Sequence, residues 1–269
     1  MPALTPNDLE VCRSVAEEIA SWAIDRIGTE PPEPAQVTTK EGPGDYVTST
    51  DRMVEEHVRG LLHARFPDHQ VIGEEFGTGG GDPGDLVWYV DPVDGTANYV
   101  HNLPFTAFSL ALADENGTAV GVVADPHRGE IFSAVRGAGA RLNDRPLEPT
   151  NALSPSGALI LAEGLAHLPW DGLLAVQRAL AADDCALRML GSTALSLAYA
   201  AAGRAAGVLL GRFSPWDVLA GVLIAQEAGL TVFSRQDGGQ PVPGDQPLPE
   251  HDLLVAAPGV AGALRLLWT

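Results

Sequence analysis

The sequence is short of several things, and each shortage excludes a class. Lysine is almost absent, with one residue (Lys40) against 15 arginines. The 16 basic residues face 35 acidic ones, for a net charge of −19. Nucleic-acid binders carry the opposite footprint, so no nucleic-acid contact is expected. An anionic membrane surface is disfavoured for the same reason. There are two cysteines, Cys12 and Cys185, far apart and in helix-like contexts. They make neither a disulfide framework nor a zinc site and are expected to be buried free thiols. The seven histidines are scattered, without zinc-like spacing. No apolar run reaches the roughly 18 residues of a membrane span. The first residues show no basic stretch ahead of an apolar one, so no signal peptide is expected, and the expected location is the cytoplasm.

What remains is a globular profile, 45% hydrophobic and 19% charged over 269 residues. That length supports its own core, as one large domain or two lobes sharing a cleft. Residues 7–27 have helical spacing, with Asn7 or Asp8 able to cap. Residues 29–50, rich in Pro, Gly and Thr, form a long loop of the kind that is often functional. A second helix spans about 50–66 and ends at Pro67. Val71-Ile72-Gly73 is a short apolar run, followed by Glu74-Glu75 and a Gly-rich loop. LVWYV (86–90) reads as a buried strand ending at Asp91, with further strands at 106–113, 119–124 and 130–135. From there strand and helix signals alternate to the end. The pattern predicts an α+β first lobe over 1–145 and an α/β second lobe over 146–269.

Carboxylates carry the chemical signal. Asp91-Pro92-Val93-Asp94-Gly95-Thr96 sits where an apolar strand stops, and both Asp-Pro and Asp-Gly favour turns. Glu74 and Glu75 end the preceding apolar run. Asp217 opens an apolar helix in Ser-Pro-Trp-Asp, and Asp51 opens another after Thr-Ser-Thr. An aspartate early in a helix is ordinarily a cap, and a Glu-Glu pair is ordinarily solvated. Taken together, several hard oxygen donors near the ends of core elements suit Mg²⁺ better than Zn²⁺.

Six blocks give these residues a context: DYVTSTD (45–51), FPDHQVIGEE (66–75), WYVDPVDGTANYVHNLPFTAFSLAL (88–112), EIFSAVRGAGARLN (130–143), RMLGSTALSLAYAAAGR (188–204) and PWDVLAGVLIAQEAG (215–229). In type and order they resemble the inositol monophosphatase family of Mg²⁺-dependent, lithium-sensitive phosphatases, over most of the chain. The resemblance implies the sugar-phosphatase fold, a layered αβαβα sandwich with its site between two lobes. It implies metal ligands at Glu74, Asp91, the Val93 carbonyl, Asp94 and Asp217. Two to three Mg²⁺ ions would bind, Asp91 bridging two of them about 3.5–4 Å apart. Glu74 and Thr96 would position an attacking water for direct in-line hydrolysis, with Asp51 hydrogen-bonded to the threonine. Asp94, Gly95 and Thr96 would meet the phosphate, and Gly191, Ser192 and Thr193 the rest of the substrate. Lys40 matches a lysine of the family's mobile loop. Trp216, His101, Tyr46 and Tyr99 read as structural. A homodimer acting on a small phosphorylated substrate is also implied.

Two positions depart from the family pattern. Its glutamate seven residues before the helix aspartate is Leu210 here, and Arg212 is a nearby novelty. An apolar residue cannot accept from sugar hydroxyls, so Leu210 and Arg212 are candidate specificity positions. The function expected is hydrolysis of a small polyol or sugar phosphate resembling inositol 1-phosphate. Alternatives within the fold are histidinol phosphate, fructose 1,6-bisphosphate, 3′-phosphoadenosine 5′-phosphate or a pathway-specific cyclitol or sugar phosphate. An alternative of another class is a partner-binding regulatory protein with vestigial catalysis, as some bacterial relatives act in transcription and RNA processing.

Overall fold

The computed structural model describes residues 4–28, 32–33, 36–40, 42–80, 86–148, 154–164, 172–234, 242–243 and 252–268. Helix α1 (Pro6–Ile27) leads to an antiparallel hairpin, β1 (Val37–Thr39) and β2 (Tyr46–Thr48), and then to α2 (Ser49–Arg65). Next come β3 (Gln70–Gly73), β4 (Gly77–Gly80), β5 (Val87–Asp94), the short α3 (Thr96–Val100), β6 (Ala107–Asp114), β7 (Gly117–Asp125), β8 (Glu130–Val135), β9 (Gly139–Leu142) and β10 (Arg145–Pro146). The remainder is β11 (Leu159–Gly164), α4 (Leu173–Ala182), β12 (Ala186–Arg188), α5 (Thr193–Ala201), β13 (Gly207–Gly211), α6 (Pro215–Glu227), β14 (Thr231–Ser234), β15 (Val242–Pro243), β16 (Leu253–Ala256) and α7 (Pro258–Leu267).

Two sheets organise these elements. The first has the order β10-β9-β8-β7-β6-β5-β3-β4, and the second β12-β11-β13-β16-β14-β15. Helices α1 and α2 cover the outer face of the first sheet, and α4 and α7 that of the second. Helices α5 and α6 lie between the sheets, which completes a five-layered αβαβα sandwich. The sequence of α6 is apolar all round because of this position: eight consecutive residues, Val218 to Ala225, are buried. Small residues bring its backbone close. A Cβ on Gly121 of β7 would come within 2.8 Å of the Ala220 carbonyl, and one on Gly221 within 2.6 Å of Leu197 Cβ. The position of Asp217 is thereby set by the first sheet and by α5.

Several local expectations need correction. Thr5, not Asn7 or Asp8, caps α1: its hydroxyl accepts from the Asp8 amide while the Asp8 carboxylate takes the Thr5 N–H, a reciprocal capping box. The 29–50 segment is not structureless, since it contains the β1–β2 hairpin. Gly77–Gly80 forms an edge strand, because ladder bonds need only backbone. Strand β5 does not stop at Asp91. It continues to Asp94, paired with Ala107 of β6, and a bulge between Asp91 and Asp94 absorbs Pro92, which has no N–H to give. The second sheet is mixed: β12-β11-β13 are parallel, while β16, β14 and β15 are antiparallel additions. No helical signal separates the LTVF and DLLVAA runs, and parallel neighbours need such a crossover. Cys12 is buried in the α1 face, but Cys185 follows α4 and is only half-buried.

Candidate active site

The acidic side chains singled out in the sequence converge around the end of β5, each delivered by a different device. Asp51 and Asp217 are both third residues of helices. Asp51 accepts the Thr48 N–H at 2.9 Å and the Thr48 hydroxyl, and Asp217 accepts the Ser214 N–H at 2.7 Å. Each therefore caps its own helix with one oxygen, and the cap is what fixes its rotamer. Asp51 turns its other oxygen toward the Thr96 hydroxyl, 3.3 Å away. Asp91 and Asp94 flank the bulge in β5, where Asp91 accepts the Val93 N–H at 3.0 Å. Glu74 follows β3 directly, with its N–H on the Val90 carbonyl of β5.

Across the layer boundary, the turn into α5 meets β5. Asp94 accepts from the Ser192 hydroxyl at 2.5 Å, the Ala194 N–H at 2.7 Å and the Thr193 N–H at 3.3 Å. Gly95 and Gly191 lie against each other there, both in left-handed backbone (φ 85° and 80°). A Cβ on Gly95 would stand 2.9 Å from the Gly191 carbonyl and 2.8 Å from that of Phe105, so only glycine fits. Asn98 ties the same turn from below, donating to the Leu190 and Phe105 carbonyls at 2.7 and 2.8 Å. The Val93 carbonyl accepts from the Thr96 hydroxyl at 2.9 Å.

The charge balance of this cluster is unfavourable by itself. Burial, then the neighbouring Glu74, Asp94 and Asp217, holds Asp91 well above the usual carboxylate range. Burial and Asp94 do the same to Asp217. Burial pushes Asp94 up to about 6 against its three hydrogen bonds, and Glu75 up to about 7. One cation answers them: Lys40 Nζ lies 2.7 Å from Glu74 and 2.6 Å from Glu75. Burial works against the Lys40 charge, but the two glutamates more than offset it and raise its proton affinity. Among the described residues no three His, Cys, Asp or Glu side chains are drawn together as a bound ion would require; Lys40, hydroxyls and amides hold the carboxylate oxygens instead. The donors nonetheless suit a hard divalent cation. They are oxygens, they are buried or half-buried, and they crowd one another's charge.

The family-wide sequence profile of inositol monophosphatases matches residues 8–266. The chain belongs to the inositol monophosphatase family. It is 41% identical over 234 residues to the Nus factor SuhB of Pasteurella multocida, covering 86% of this chain and 82% of that protein. It is 38% identical over 208 residues to the inositol-1-monophosphatase of Mesorhizobium japonicum, covering 76% and 77%. The crystal structure of the extragenic suppressor protein SuhB from Bartonella henselae superposes with a TM-score of 0.86 at 29% identity, over 96% of this chain and 98% of that one.

The remaining candidates of this inositol monophosphatase relative are less central. Leu210 is 1% exposed, packed in the apolar cluster between the sheets rather than facing solvent. Arg212 is exposed, in left-handed backbone (φ 54°), with its N–H on Asp252 at 3.3 Å. Trp216 is only partly buried; its carbonyl accepts from Ser109 at 2.9 Å, which ties the start of α6 to β6. His101 is exposed, edge-on to Tyr46. Sequence reasoning missed Glu55, Arg59, Asn98, Ser109 and Glu163. Glu163 follows an apolar run in the sequence just as Asp91 does, so the same signal pointed to it. Nothing in the sequence marks Asn98.

Proposed function

We propose that the chain is a Mg²⁺-dependent phosphomonoesterase acting on a small polyol or sugar phosphate. One observation carries the reading: largely buried, mutually repelling carboxylates from α2, β5 and its β3 neighbour, and α6 face a turn rich in hydroxyls and amides. In this reading Glu74, Asp91, Asp94, Asp217 and the Val93 carbonyl would hold two to three Mg²⁺ ions. Such ions, when bound, supply Lewis-acid stabilisation of the phosphoryl group and activation of water. Thr96 and Glu74 orient the attacking water, and Asp51 orients the Thr96 hydroxyl. Gly95 leaves its backbone open to the phosphate oxygens. Gly191, Ser192 and Thr193 receive the alcohol side of the ester. Lys40 offers an ammonium beside Glu74 that a metal ion can displace. Mg²⁺ dependence agrees with the general habit of the family, as do Li⁺ inhibition, a homodimer and cytoplasmic action, which belong to the same proposal. A division into two lobes close to residues 145/146 belongs to it too; the separate sheets over 70–146 and 159–256 favour a boundary just after β10.

The buried Leu210 favours a substrate other than inositol 1-phosphate, or a polyol held by other groups. A panel decides: phosphate release with Mg²⁺ from inositol 1-phosphate, histidinol phosphate, fructose 1,6-bisphosphate, 3′-phosphoadenosine 5′-phosphate and glycerol phosphate. Release from at least one ester, abolished by Asp94→Asn, is the expected result. Silence across the panel, or an unaffected Asp94→Asn, contradicts the reading. The name of the SuhB relative favours one second reading, a protein that works through transcription partners. Specific co-purification with such a partner, without turnover, is the outcome that would select it.

A further inference from the structure

One buried carboxylate lies outside the cluster yet grips the turn that faces it. Glu163 sits near the end of β11 and is 4% exposed. Its Oε1 accepts from the Leu190 N–H at 2.7 Å and the Ser196 hydroxyl at 2.8 Å. Its Oε2 accepts from the Gly191 N–H at 3.0 Å. These partners bracket residues 190–196. The same stretch presents Ser192, Thr193 and Ala194 to Asp94 on its other side. Leu190 also gives its carbonyl to Asn98. One hydrogen-bonded turn thus runs from Glu163 to Asp94. The cross-strand partner of Glu163 on β13 is Leu210, which offers it nothing polar. Among the described residues no Lys, Arg or His forms an ion pair with it.

A carboxylate is costly in such a place unless donors fill it. It does have one property a neutral side chain lacks. Both oxygens accept only, so it can take two consecutive backbone N–H groups at once and fix their direction.

We infer that Glu163 is a positioning residue for catalysis: it sets the orientation of the 190–196 turn, and through it that of Asp94 and of the Gly191–Thr193 surface that receives the substrate. The inference rests on the phosphatase reading above. Glutamine at this position keeps the volume but has one acceptor oxygen. Its amide group would face a backbone donor, and one N–H of the pair would be left without a partner.

The test is the kinetics of Glu163→Gln with Mg²⁺ on the panel ester that the wild type hydrolyses best, alongside backbone hydrogen exchange of the metal-free protein. KM is expected to rise about tenfold, more than kcat falls, because the substrate surface moves further than the reacting groups. Exchange at Leu190 and Gly191 is expected to quicken about tenfold while the amides of β5 and β6 stay protected. A purely structural brace would lower the melting temperature and leave KM of the folded enzyme alone. Values of kcat and KM within twofold of wild type overturn the inference, as does unchanged exchange at 190–191. If Glu163→Gln does not fold, Ser196→Ala decides. It removes one donor only, and a two- to fivefold rise in KM is expected, with an unchanged KM contradicting the inference. A wild-type protein silent on every ester of the panel sinks the phosphatase reading and this role with it. An active wild type with an indifferent Glu163→Gln sinks the role of Glu163 alone.

Discussion

Glu55 in α2 and Glu163 in β11 do the same geometric job on opposite sides of the site. Glu55 is fully buried and accepts the N–H groups of Glu75 at 2.7 Å and Phe76 at 3.2 Å, the turn that carries Glu74. Glu163 does this for Leu190 and Gly191. They differ in counter-charge. Arg59 lies 2.7 Å from Glu55 and reaches on to the carbonyls of Val71 and Gly77. Gly73 is there to leave room, since a Cβ would meet Glu55 Oε1 at 2.1 Å. Glu163 is satisfied by neutral donors, and burial pushes it up to about 7 against those hydrogen bonds. The turn carrying Glu74 is thus locked by a charge pair. The turn facing Asp94 is held by a carboxylate whose ionisation its donors must maintain.

The largest effects should come from the carboxylates themselves. Asp91→Asn and Asp217→Asn take one donor from each side of the site. Each is expected to lower Mg²⁺-supported phosphate release by well over the roughly 100-fold that a supporting partner can cost. Comparable losses mean that β5 and α6 build one site. Loss with Asp91→Asn alone would break the comparison, leaving the chemistry to the first sheet.

Stability separates the two braces next. Glu55→Ala leaves the half-buried Arg59 without its carboxylate and the Glu75 and Phe76 N–H groups without their acceptor, and should cost about 3 kcal/mol. Glu163→Ala leaves two amides and a hydroxyl unpaired, for about 1–3 kcal/mol. Urea titration of the two variants checks the order, and a reversal would mean that the Arg59 pair is not what locks the first turn.

The pH dependence follows from the raised carboxyls. In the folded, metal-free protein Asp94 and Glu163 hold protons up to about 6 and 7, where the unfolded chain has released them. The folded state binds more protons across that window, so stability falls as pH rises from the ordinary carboxylate range to about 7, then levels. Melting curves between pH 5 and 8 should show this fall, smaller in Glu163→Gln and relieved by Mg²⁺. A melting temperature that climbs through the window contradicts the assignment. The smallest effect is expected at the tie between layers: Ser109→Ala removes the hydroxyl from the Trp216 carbonyl and should cost about 1 kcal/mol by denaturant titration.

Nearly every helix could be read from the chain, because each α/β alternation and each apolar run has a simple physical cause; the layering came from the family resemblance. The family's blocks named the carboxylates, and the capping role of Asp51 and Asp217 was visible as an ordinary helix start. Other features were hidden for definite reasons. The extension of β5 through Pro92 depends on β6 continuing to offer partners, which is tertiary. The Gly77–Gly80 strand uses backbone alone. Glu55 and Arg59 look like any helical pair four residues apart, and only the fold reveals that Glu55 is sealed beneath the Glu74 turn with the half-buried Arg59 beside it. Leu210 was legible as a departure; its burial in the apolar cluster between the sheets was not.

The most direct test of the account is a Mg²⁺ titration of phosphate release by the wild-type protein on its best ester, with Asp94→Asn in parallel. The account predicts release that is absent without the ion, saturates with it and is lost in the variant at every concentration. Release that proceeds equally in a chelator, or that survives Asp94→Asn, would contradict the central claim that this buried carboxylate cluster is the working site.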